Sequence, residues 1–121
     1  MPLLVAPLLI AAGESGSGDV AMIELDPLIA PVVDNDRVTG VLQVRVTLMP
    51  GEPGFDARMQ PLKPRVIEAC LAAVVEEARV GVDLDRPVNA TRLATRLQGA
   101  VDELRLGKVR VLVTEVSTRR G

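Results

Sequence analysis

The most regular pattern in the chain lies at 41–49, "VLQVRVTLM". Leu42, Val44, Val46 and Leu48 alternate there with Gln43, Arg45 and Thr47, the period of two that a strand with one buried face requires. "PGEPG" at 50–54 stops the strand. Upstream, "VAMIELDPL" alternates less cleanly and predicts a strand ending at Asp26 and Pro27, because proline removes a ladder donor. "APVVDNDRVTG" then reads as a loop or hairpin connection, with Asp34, Asn35, Asp36 and Gly40 as turn residues.

The period changes after Pro61. From about Leu62 to Arg79, Ile67, Cys70, Leu71, Val74 and Ala78 recur at helical spacing, and Val66, Ala69, Ala73 and Val75 widen the stripe. Pro61 and Pro64 fit before this helix or in its first turn, where a missing N–H costs nothing. Glu76, Glu77 and Arg79 mark its solvated end, and Gly81 is a natural stop. Asp85 or Asn89 can cap a second helix, whose stripe is Ala90, Leu93, Ala94, Leu97, Val101 and Leu104. Arg92, Arg96 and Glu103 lie largely away from that stripe, and Gly107 ends the helix.

"KVRVLVTEV" at 108–116 begins a strand at once. Val109, Val111 and Val113 face one way; Arg110, Leu112, Thr114 and Val116 face the other. Because Leu112 and Val116 are apolar too, this strand is expected to be central or to face a partner. Two consecutive helices that double back return the chain to the end of the sheet it left, so the last strand should run antiparallel to 41–49. The prediction is an α+β fold: a small, mostly antiparallel sheet of about three strands with two helices on one face, in the order β-β-α-α-β. The domain spans 20–118, after an apolar segment and Gly/Ser linker at 1–19 and before a short tail at 119–121.

Composition adds mainly exclusions. With 121 residues, 48% hydrophobic and 25% charged, the chain has the balance of one folded domain. Phe55 is the sole aromatic residue, so the core is aliphatic and the usual stacking platforms are missing. The net charge of −2 comes from acids and bases that are nearly matched and intermixed. No basic face is expected to attract nucleic acid. No histidine is present, which removes the commonest general base and the commonest transition-metal ligand. Cys70 sits on an apolar stripe and reads as a small buried hydrophobe.

"DND" at 34–36 and "DLD" at 83–85 read as turn and cap residues. An enzyme would have to gather Asp34, Asp36, Asp83 or Asp85 around a metal, and neither stretch continues into a calcium loop. "GESGSG" at 13–18 has no preceding strand and no Gly-Lys-Ser ending, so it reads as linker rather than phosphate cradle. No catalytic residue, cofactor or metal ligand is expected.

Four stretches in order resemble the extracytoplasmic domain of the FliL family, the flagellar basal-body proteins that associate with stator units. They are "ELDPLIAPVV" at 24–33, "VLQVRVTLM" at 41–49, "PLKPRVIEACLAAV" at 61–74 and "NATRLATRLQGAVDELRLGKVRVLVTEV" at 89–116. The resemblance covers roughly 24–116, and Leu/Val patterning carries much of it. It implies a stomatin/SPFH-like fold and a non-enzymatic scaffold that self-associates and contacts flagellar stator proteins on the periplasmic side of the inner membrane. Its contact surface would be an exposed sheet edge and the outer faces of the second helix and last strand, with Arg92, Arg96, Arg110, Leu112 and Val116 as candidates. The alternative is a small soluble domain, cytoplasmic or otherwise, that binds a partner or ligand and has no part in motility.

The family's members resemble single-pass membrane proteins. The apolar run here, "PLLVAPLLIAA", holds eleven residues, about half of the roughly 20 needed to cross a bilayer. It reads as a remnant of a hydrophobic segment with a late start, an export signal, or an extra strand or interface piece. Membrane attachment is expected only if the true N-terminus carries a complete anchor.

Overall fold

The computed structural model describes residues 21–121; the apolar segment and linker expected at 1–19 lie outside them. The chain forms β1 (Ile23–Glu24), β2 (Leu28–Asp34), β3 (Arg37–Pro50), α1 (Phe55–Met59), a 3-10 turn (Gln60–Leu62), α2 (Lys63–Val80), α3 (Ala90–Asp102) and β4 (Val109–Arg120). The α+β class, the antiparallel sheet and the two main helices are as the periodicities predict.

β3 is the spine of the sheet. Along one side it pairs first with β2 (Leu28 opposite Val44, Ala30 opposite Leu42) and then with β1 (Ile23 opposite Leu48), so two short strands share one edge. Leu25 N–H bridges between them to the Val46 carbonyl at 3.0 Å. Along the other side β3 pairs with β4 from Gly40–Arg120 to Pro50–Val109, all antiparallel.

β2 and the start of β3 occupy the residues read as a loop or hairpin connection, and the hairpin is what forms. Pro31 is tolerated there because it stands on an outer edge, where its missing N–H faces away from β3. The β2–β3 link is a two-residue hairpin turn in which Asn35 and Asp36 both adopt positive φ, 51° and 63°, as a type I′ turn demands.

Leu42, Val44, Val46 and Leu48 are completely buried beneath the helices. α2 lies over β2 and α3 over β4, and the two helices also pack on each other. Val66, Cys70, Ala73, Val74 and Ala78 from α2 and Leu93, Leu97 and Val101 from α3 fill the layer. Asn89 is the N-cap of α3, its Oδ1 accepting Arg92 N–H at 2.9 Å. α3 ends at Asp102 rather than near Gly107; Arg105 and Gly107 then turn the chain with φ of 55° and 106°. α1 was not evident from periodicity, because a single pair, Phe55 and Met59, carries its buried side.

Two β-bulges re-phase the sheet. One gives β3 an extra residue, Thr39, between the Val33–Val38 and Val32–Gly40 pairs; the other gives β4 an extra residue, Thr114, between Val46–Val113 and Arg45–Glu115. In each, the threonine hydroxyl donates to the carbonyl across the bulge, Val32 O or Arg45 O, at 3.3 Å. The second bulge corrects the expected facing of the last strand. Val116 opposes Val44 and packs with Val113 against the core, while Leu112 stays on the opposite face. β4 also runs through Arg119 and Arg120, and Gly121 N–H donates to Thr39 O at 3.0 Å. Residues 119–121, expected as a tail beyond the domain, are therefore tied to the sheet. Gly40 lets that end close: a Cβ there would collide with the Arg119 carbonyl.

Candidate protein-interaction surface

The helices cover one face of the sheet, and among the described residues no element covers the other. Strand alternation puts Ile29, Pro31 and Val33 of β2, Val38, Val41, Gln43, Arg45, Thr47 and Met49 of β3, and Arg110, Leu112, Glu115, Ser117 and Arg119 of β4 on that outer face. Ile29 and Val38 are 56% and 68% exposed. Arg45 Nε meets Glu115 Oε1 at 2.9 Å across the β3–β4 pair. The face is thus an apolar band on the β2 side and a charged strip on the β4 side.

β4 is an edge strand, and its two halves are treated differently. Near its start, Gln98 of α3 docks its side-chain amide on the free edge: Nε2 donates to Val109 O at 2.9 Å, and Oε1 accepts Val111 N–H at 2.8 Å. One glutamine therefore satisfies the two backbone groups that a neighbouring strand would take. Beyond Thr114, among the described residues, no hydrogen bond reaches the outward backbone of β4. Unpaired edges of this kind are templates for another strand.

The candidate contact residues separate into three places. Arg110 and Leu112 share the outer sheet face beside the free edge. Val116 points into the helix side. Arg92 and Arg96 sit on α3 and close over α2, where both grip Glu77. Arg92 donates to Glu77 Oε2 through Nη2 and Nε at 2.6 and 2.9 Å, and Arg96 Nε donates to Oε1 at 3.0 Å. Arg92 Nη2 also caps the end of α2 through Gly81 O at 2.9 Å. Glu77 was expected at a solvated helix end; it is instead fully buried. The signal was present, since Glu77 continues the stripe Val66, Cys70, Ala73.

Beside this cluster lies an open groove of about 570 Å³, lined in part by Asp34, Arg79, Asp83, Asp85 and Arg120. Its charges are largely used internally. Asp83 Oδ1 accepts Asp85 N–H at 2.9 Å, and Asp85 pairs with Arg120. Asp36 lies in the hairpin turn. Among the described residues, no set of three or more acidic, histidine or cysteine side chains is placed to share a metal ion. Cys70 is buried, and desolvation pushes its thiol up to about 11, which makes it a poor nucleophile. No helix among the described residues is long and apolar enough to cross a membrane.

No protein-family model matches the chain, and no curated protein matches it.

Proposed function

We propose that this domain is a non-enzymatic assembly module of FliL-like type, with a stomatin-like scaffold, that self-associates and contacts flagellar stator proteins on the periplasmic side of the inner membrane. The observation that carries this reading is the one-sided sheet, whose outer face and late β4 edge are open to a neighbour. Sequence support comes from the resemblance over 24–116. Sedimentation velocity across a dilution series tests self-association, and co-purification with the periplasmic part of a stator protein tests the partner. A domain that associates with neither loses the proposal.

A second reading, a small partner- or ligand-binding domain unrelated to motility, draws on the groove beside Arg79, Asp83 and Arg120. Unaltered swimming in a strain lacking the protein would favour it.

A further inference from the structure

The free edge of β4 can be read residue by residue. Lys108 O accepts Gly51 N–H and so points toward β3, whereas Val109 O and Val111 N–H point outward to Gln98. Backbone groups in an antiparallel pair alternate in this way. The Thr114 bulge shifts the alternation by one, and Gly121 N–H, bonded to Thr39 O, shows the new phase. Glu115, Ser117 and Arg119 therefore turn their backbones toward β3, and Val116, Thr118 and Arg120 turn theirs outward. Gln98 blocks the first half of the edge, so only this second half is open to a strand.

An identical strand meeting this edge about a two-fold axis must centre on one residue, and the charges choose which. A centre at Glu115 sets the two Glu115 side chains opposite each other, and a centre at Arg119 does the same for the arginines. A centre at Val116 or Thr118 faces Glu115 or Arg119 with Ser117. Only a centre at Ser117 opposes each Glu115 to an Arg119, on the outer face where Arg45 already flanks Glu115. Opposite charges directly across a ladder favour pairing, and like charges disfavour it.

We propose that a second copy of this chain adds to the sheet through β4, antiparallel and two-fold about Ser117, with Glu115 of each copy opposite Arg119 of the other. Gln98 and the Thr114 bulge limit this pairing to the last residues of the strand, and the charges of Glu115 and Arg119 fix its register. The proposal deepens the self-association reading and rests on it.

The test uses full-length chains and charge reversal. Glu115→Arg and Arg119→Glu each place like charges opposite one another in a homodimer, and each should weaken dimerisation roughly tenfold or more in sedimentation experiments. An equimolar mixture of the two should regain the wild-type affinity, because every opposed pair is again unlike. Ser117→Cys should form an intermolecular disulfide faster than Glu115→Cys or Arg119→Cys, since residues at a non-hydrogen-bonded centre lie about 4.5 Å apart. A wild type that associates while both reversals leave its affinity unchanged, or that cross-links fastest at 115 or 119, overturns the register but leaves self-association standing. A wild type that stays monomeric overturns both.

Discussion

Arg92 closes on Glu77 with two donors from a neighbouring helix, Nη2 at 2.6 Å and Nε at 2.9 Å from the same carboxylate oxygen. The burial is unequal. Glu77 is inaccessible, whereas the Arg92 and Arg96 side chains remain 47% and 38% exposed. The arginines can rotate into water when the carboxylate is removed; the carboxylate has no such route. Arg92→Ala with Arg96→Ala should therefore cost about 3–5 kcal/mol in urea unfolding, because a buried charge is left unpaired. Glu77→Leu should cost less than about 2 kcal/mol, since an apolar side chain suits the stripe.

Gln98→Ala should do two things at once. Losing both edge bonds, with Val109 O and Val111 N–H left to water, should cost about 1–3 kcal/mol. The longer open edge should also raise concentration-dependent light scattering, as unprotected edges do. Gln98→Glu keeps an acceptor for Val111 N–H but faces Val109 O with a second acceptor, so it should recover only part of the loss.

Asp36 holds a positive φ in a turn that favours glycine. Asp36→Gly creates the Asn-Gly pair preferred in this hairpin and should stabilise the domain by roughly 0.5–1 kcal/mol, read as a higher urea midpoint.

Cys70 sets an alkaline limit. Burial raises its thiol from 9.0 to about 11 in the folded chain. Above pH 9 the unfolded thiol ionises first and the unfolded state releases protons, so stability should fall between pH 9 and about 11 and be insensitive to this group below that window. Cys70→Ala should flatten the slope. Thiol reagents at pH 8 should label Cys70 only after denaturant is added.

Local periodicity made β3, α2 and α3 legible, because each depends on neighbours within one or two turns, and it narrowed the cap of α3 to Asp85 or Asn89, of which Asn89 serves. The facing of Val116 was not legible: it depends on one bulged residue, and a sequence written as strict alternation gives no sign of the interruption. Glu77 was misplaced for a different reason. Its partners stand 15 and 19 residues further on, and an acidic pair near a helix end ordinarily means water. Of the five candidate contact residues, Arg110 and Leu112 lie on the outer sheet face along the half of β4 that Gln98 covers, and the other three are turned toward the molecule's own helices and core. Charge alone could not separate an arginine on an uncovered face from one folded back onto its own chain.

Thr114 gives β4 a hidden arithmetic. Pair that one residue with Arg45 instead of bulging it out, and every position after it trades sides: Glu115 and Arg119 would be driven under the helices while Val116 surfaced. A single-codon deletion there would instead erase the kink and leave Glu115 across from Arg45 and Val116 across from Val44, so the terminal ribbon would keep its chemistry while losing its bend.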